Sequence, residues 1–194
     1  MSTTEVSDER TALAELSPSL SQKVFRGLLD AMARPGEIGR IPVSGSTPAA
    51  LLPVLALADL MTPVHVISGD SRWAAMVSTA TGAPIAELSV ARLVAALDRP
   101  HPDELRALSP ASAAEPQAAA QIFVAVSELT DDGPLRLSGP GVPGSRALGV
   151  IGLPDEFWSV RDELIEFPAG IDVVLLTADG RLAGIPRSTV IEEY

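Results

Sequence analysis

The chain has 194 residues with 14 basic and 25 acidic side chains, a formal net charge of −11, and no cysteine. That length predicts one domain, and a chain of this size buries about 70% of its unfolded surface, so it needs no disulfide or metal staple. The missing thiol excludes cysteine-ligated iron–sulfur clusters, a cysteine nucleophile and disulfides. The acidity argues against nucleic-acid binding, which needs a basic face. His65 and His101 are too far apart in the chain for an HExxH-type pair, so a protein-only zinc site is not expected.

Residues 1 to 17 are polar and acidic and read as a flexible N-terminal tail ahead of one α/β domain over residues 18 to 194. The tail lacks the basic start and apolar segment of a secretory signal, so a cytoplasmic location is expected. Val24, Phe25, Leu28, Leu29 and Met32 recur at helical spacing, and Ser19 with Gln22 fits a capping box. Arg26 and Asp30, four apart, fit an ordinary surface pair on that helix. Arg34-Pro35-Gly36 stops it, because Pro35 disfavours helical backbone at Arg34 and Gly36 accepts positive φ. Glu37 to Ile41 alternates as a short strand does. Thr47-Pro48 offers an N-cap and a first-turn proline for an apolar helix ending near Leu60, delayed or kinked by Pro53. The apolar run over residues 49 to 61 is too short for a membrane span and is broken by Pro53 and Asp59.

Residues 63 to 67 form a β-rich run, and residues 71 to 80 a helix closed by Gly82. Residues 85 to 88 read as a strand, followed by helical pieces near 90 to 97 and 103 to 108. Gln121 to Val126 has the continuous apolar character of a buried strand, and Leu135 to Ser138 is a strand after the Asp132-Gly133-Pro134 turn. A loop runs from Gly139 to Gly144. Residues 155 to 166 pattern as a helix whose Phe157 and Trp158 read as core or interface residues. Ile171 to Thr177 and Arg181 to Ile185 flank Ala178-Asp179-Gly180 as a hairpin, and Ser188 to Ile191 is a last strand. Interleaved helices and strands with a terminal hairpin predict α/β, with a mixed sheet flanked by helices.

Three segments then stand out together: FRGLLDAMARPGEIGRIP (residues 25 to 42), the SGPGV loop (138 to 142), and FPAGIDVVLL with GIPRSTVI (167 to 176 and 184 to 191). With ALADLMTPVHV (residues 56 to 66), they run in order from about residue 20 to the C-terminus and resemble the PhnH family. That family supplies a subunit of the bacterial carbon–phosphorus lyase core complex. The resemblance implies a non-autonomous role in phosphonate catabolism. With the other core subunits as partners, the complex installs an alkylphosphonate on ribose C1 of ATP and releases adenine. It also implies a fold like that of the PLP-dependent transferases without PLP or another cofactor, and a homodimer when isolated. Lys23, the single lysine, agrees with the missing cofactor, since it falls on a helix and not after a strand.

No catalytic set is legible, but several residues are candidates for contacting an anion. Arg34 either forks onto a phosphate or carboxylate or satisfies the carbonyls of its helix end. Arg187, Ser188 and Thr189 combine a guanidinium with two hydroxyls, although Ser188 and Thr189 face opposite sides if both lie in a strand. Gly139 and Gly141 either present backbone N–H groups to an anion or make a tight connection. Their loop matches neither phosphate-binding glycine motif, and its two prolines remove donors. His65, in an apolar run, reads as a hydrogen-bonded supporting residue. Asp172, at the head of a hydrophobic strand, needs a partner, for which Arg187 is the candidate. The alternative function is a self-contained homodimeric binder or enzyme for a phosphorylated small molecule.

Overall fold

A computed structural model describes residues 16–43 and 45–193. The tail expected over residues 1 to 17 therefore falls outside the described residues except for Leu16 and Ser17, and Ser17 caps the first helix. In chain order the elements are α1 (Pro18–Ala33), β1 (Gly39–Arg40), a 3₁₀ turn (Ala49–Leu51), α2 (Leu52–Leu57), β2 (Val64–Ile67), α3 (Arg72–Thr81), β3 (Leu93–Ala96) and α4 (Pro102–Arg106). Another 3₁₀ turn (Pro116–Ala118) leads to β4 (Gln121–Val126), β5 (Glu128–Ser138), β6 (Arg146–Ile151), α5 (Phe157–Glu163), β7 (Asp172–Thr177), β8 (Arg181–Ile185) and β9 (Val190–Glu193).

Six strands form a mixed sheet in the order β1-β8-β7-β4-β3-β2. β2, β3, β4 and β7 are parallel, while β8 and β1 join antiparallel. Side chains alternate across it, so β4 sends Ile122 and Val124 to one face and Phe123 to the other. On the Phe123 side, Val24, Leu28 and Ala31 of α1 pack with Leu52 and Val54 of α2 and Val77 of α3. A three-stranded antiparallel sheet, β6-β5-β9, covers the opposite face together with Phe157, Trp158 and Val160 of α5. The molecule is thus layered as helices, mixed sheet, then small sheet plus helices. Continuous apolar runs suit central strands buried on both faces.

The differences from expectation have local causes. Ser17 caps α1 by accepting from the Leu20 backbone N–H at 3.3 Å, so the helix begins at Pro18 and the Ser19/Gln22 box is not used. The five-residue stripe of α1 is only partly covered: Val24 and Leu28 are buried, whereas Phe25 and Leu29 are 48% and 58% exposed. Asp30 pairs with Arg34 at 3.3 Å, and not with Arg26. α2 ends at Leu57, because Asp59 accepts from Met61 N and Thr62 Oγ1 and turns the chain.

Residues 90 to 97 contain strand β3, not a helix, and Ile85 makes only an isolated bridge to Val64. A short apolar run buried on both faces has no period to separate strand from helix. The Asp132-Gly133-Pro134 turn is instead an irregularity within β5, whose register against β6 shifts between Thr130 and Leu135. β6 was not expected, α5 is shorter than its predicted 155 to 166, and the last strand begins at Val190. Ser188 and Thr189 therefore sit in a turn, where strand alternation does not apply.

Candidate functional site

The three motif segments meet at one junction. Gly36 N–H donates to the Gly184 carbonyl of β8 at 3.0 Å, which seats the Arg34-Pro35-Gly36 corner on the sheet. A Cβ at Gly184 would lie 2.6 Å from the Ala31 carbonyl oxygen, so α1 rides directly on the β8 backbone. Gly141, at φ +82°, approaches α1 so closely that a Cβ there would stand 2.6 Å from the Ala33 carbonyl oxygen. A Cβ at Gly139 would stand 2.9 Å from the Ser188 carbonyl oxygen. Both loop glycines thus serve close backbone packing at the junction, which is the tight-connection reading of that loop.

Beside the junction lies a cavity of about 530 Å³, lined by Pro140 of the loop, Arg161 and Asp162 of α5, Phe167, and the stretch Arg187 to Ile191. Three of the sequence candidates, Arg187, Ser188 and Thr189, lie in its wall. Arg161 was missed by the sequence reading. Its signal was the four-residue spacing from Phe157, which places it on the buried face of α5. Arg161 is 2% exposed and holds the turn shut: one terminal nitrogen donates to the Pro186 and Thr189 carbonyls at 2.9 and 3.1 Å. The other donates to Asp162 Oδ1 at 2.9 Å. Burial pushes the Arg161 pKa down, opposed by the Asp162 carboxylate. Arg161 Nε and Thr189 Oγ1 are both buried without a hydrogen-bond partner among the described residues. Each such atom costs about 1–3 kcal/mol.

Arg187 is committed to Asp172, as the buried carboxylate required. Asp172 accepts from the Arg187 backbone N–H at 2.8 Å, from Nε at 3.2 Å and from Nη2 at 2.5 Å. Arg187 Nη1 also donates to the Pro116 carbonyl at 2.7 Å. Each of the three guanidinium nitrogens therefore donates to a protein acceptor, and the side chain acts as a strut joining β7 to the turn before β9. The same pair borders a second, more polar cavity of about 380 Å³ at the amino ends of β3, β4 and β7, where Arg92, Gln117 and Gln121 also line the wall. Arg92 Nη2 donates to the Gln117 carbonyl there.

Arg34 and His65 do not join this site. Arg34 is half exposed and ion-paired to Asp30 and Glu37, each at 3.3 Å, at its own helix end. His65 Nδ1–H donates to the Ala86 carbonyl at 2.7 Å and ties β2 to the following segment. His101 caps α4 in a capping box with Glu104. No cluster of three or more histidine, aspartate or glutamate side chains among the described residues is arranged to hold a metal. No helix among them is long and apolar enough to cross a membrane.

The chain is similar to known proteins along nearly all of its described length. A curated relative from Rhizobium meliloti (strain 1021), alpha-D-ribose 1-methylphosphonate 5-triphosphate synthase subunit PhnH, is 32% identical over 186 residues, covering 89% of this chain and 90% of the relative. Another, the putative C-P lyase subunit protein HtxG of Stutzerimonas stutzeri, is 32% identical over 182 residues, covering 88% and 85% of the two chains. The family model described as bacterial phosphonate metabolism protein (PhnH) matches residues 16–192, nearly all of the described structure. The glycine contacts, the corner after α1 and the Arg187–Asp172 strut all lie inside that match, and the chain belongs to the PhnH family.

Proposed function

We propose that this chain is a non-autonomous subunit of a carbon–phosphorus lyase system. In that role it supports formation of ribose 1-alkylphosphonate 5-triphosphate from ATP and an alkylphosphonate, with release of adenine. The observation that carries this reading is the family match over residues 16–192, together with two relatives named as subunits and covered almost end to end. The chemistry of the chain is consistent with a supporting role. Its single lysine, Lys23, is exposed on α1, and both histidines are spent on structural hydrogen bonds.

The same reading takes the other core subunits as partners, a cytoplasmic location, a homodimer when the chain is isolated, and an architecture akin to the PLP-dependent transferases without PLP. Exposed Phe25 and Leu29 on α1 support a protein-facing surface. The net charge of −11 supports protein partners over nucleic acid. The alternative, a self-contained homodimeric binder or enzyme for a phosphorylated small molecule, draws support from the polar cavity bordered by Arg187 and Asp172 and from the cavity beside Arg161. Among the described residues the latter has no nucleophile paired with a base.

The test is co-expression of the tagged chain with the other core subunits, followed by purification and assay of adenine release from ATP and methylphosphonate. Loss of assembly and activity on omitting the chain is the expected result. Full adenine release without it would overturn the assignment.

A further inference from the structure

β9 is an edge of the small sheet, and among the described residues no strand pairs with it on the side away from β5. In an antiparallel ladder alternate residues turn their N–H and C=O groups away from the partner strand, so this edge offers backbone donors and acceptors. Natural edges are guarded against pairing by lysine, by proline or by a cover. Val190–Glu193 carries neither residue, opens with a valine that is 55% exposed, and keeps its two glutamates at its far end. The edge is also one wall of a groove. The cavity of about 530 Å³ runs beside Arg187 to Ile191, and its other wall is α5 and the segment after it, with Asp162, Ile165 and Phe167. Arg161 of α5 donates to the Thr189 carbonyl at 3.1 Å, which anchors the start of β9 against that helix. A groove between a strand edge and a helix takes an extended chain, whose backbone bonds to the edge and whose alternate side chains enter the groove.

The lining selects the side chains of that segment. Pro140, Ile165, Phe167, Val190 and Ile191 are apolar, and Phe167 is 72% exposed. Exposed aromatic and aliphatic groups beside an apolar cavity mark a surface that a protein partner covers. The rim is acidic: the Asp162 side chain is 56% exposed, and Glu166, between Ile165 and Phe167, is exposed as well. The cations of the wall are already engaged, Arg161 by Asp162 and two carbonyls and Arg187 by Asp172. The complement to this surface is therefore an apolar side chain with a lysine or arginine next to it, and the net charge of −11 favours the same sign of partner.

We propose that the groove between β9 and α5 receives an extended segment of another subunit. That segment adds a strand to the β9 edge, places an apolar side chain between Phe167 and Val190, and sets a basic side chain against Glu166 and Asp162. The inference rests on the subunit reading for the identity of the partner, and it adds the surface on which that partner docks.

The experiment is co-expression of the tagged full chain with the other core subunits, with a benzophenone amino acid in place of Val190, followed by ultraviolet crosslinking of the purified complex and mass spectrometry. The expected product joins position 190 to one apolar stretch of another subunit with an adjacent lysine or arginine. In the same complex, Val190→Lys, which gives the edge a charge that natural edges use against pairing, and Phe167→Ser are each expected to weaken retention of the other subunits by about tenfold or more. Glu166→Lys is expected to weaken it by about threefold, as a rim charge does. All three positions are exposed, so the isolated variants are expected to melt with the wild type. The crosslink does not depend on loss of binding, so a variant that melts lower leaves the test intact. Wild-type assembly accompanied by variants that assemble equally well, by no crosslink, or by a crosslink only to a second copy of this chain overturns the docking groove and leaves the subunit reading standing. Failure of the wild type itself to assemble overturns both.

Discussion

Replacing Asp172 with asparagine removes the charge from the strut that joins β7 to the turn before β9. The carboxylate accepts three hydrogen bonds from Arg187, at 2.8, 3.2 and 2.5 Å, and the two side chains are only 19% and 16% exposed. Asparagine keeps one acceptor oxygen but presents an amide N–H₂ to a guanidinium that also only donates. Breaking a fully buried pair costs about 3–5 kcal/mol. The residual exposure places this one at the lower end, about 3 kcal/mol. With a urea m value of about 2–3 kcal/mol/M, the unfolding midpoint should fall by about 1 M at constant m. Adding Arg187→Met removes the stranded cation and should recover part of the loss, a coupling of about 1–2 kcal/mol. Equilibrium urea unfolding of the wild type, both single variants and the double variant measures both quantities. A midpoint shift below about 0.2 M, or strict additivity in the cycle, would refute the strut.

Other substitutions probe the layers and the turns. Gly184→Ala puts a methyl group 2.6 Å from the Ala31 carbonyl oxygen of α1, and should lower stability by about 2 kcal/mol or more, read as a fall in Tm. Phe123→Ala empties a fully buried position between the mixed sheet and α1–α3 and should cost about 3–5 kcal/mol in urea unfolding. The Asp179 carboxyl is held below the ordinary aspartate range, chiefly by the Thr177 hydroxyl and then by the Arg40 guanidinium. A depressed native pKa stabilises the fold above the unfolded value and loses that contribution as pH falls through the native one. Asp179→Asn should therefore lower the urea midpoint at neutral pH, and the gap from wild type should close as pH falls below the ordinary aspartate range. A gap that is unchanged there would remove Asp179 from the acid transition.

What was legible in the chain follows from local chemistry. Pro35-Gly36 after an apolar stripe marks the end of α1, Gly82 closes α3, and Ala178-Asp179-Gly180 makes the β7–β8 hairpin, because each depends on backbone torsions of adjacent residues. The partnership of Asp172 with Arg187 was also readable, since a carboxylate heading a hydrophobic strand demands a cation nearby. β3 was misread as helix, because Leu93–Ala96 is buried on both faces and carries no polar alternation. β6 escaped notice altogether. Of the candidate anion contacts, Arg187, Ser188 and Thr189 share one cavity wall, while Arg34 and His65 are held elsewhere by their own hydrogen-bonded or ionic partners.

By itself the sequence determined the α/β class, the turn positions, the acidic surface and the family pattern, all of which reside in composition, neighbouring residues and their order. Only the tertiary structure decided that the corner after α1, the Gly139–Gly141 loop and the Pro186–Thr189 turn form one junction. It also decided that Arg161 is buried beside that junction with a nitrogen left without a hydrogen-bond partner among the described residues. The reason is physical: close backbone approach and unpaired burial are properties of surfaces brought together from distant parts of the chain, and no local propensity encodes them.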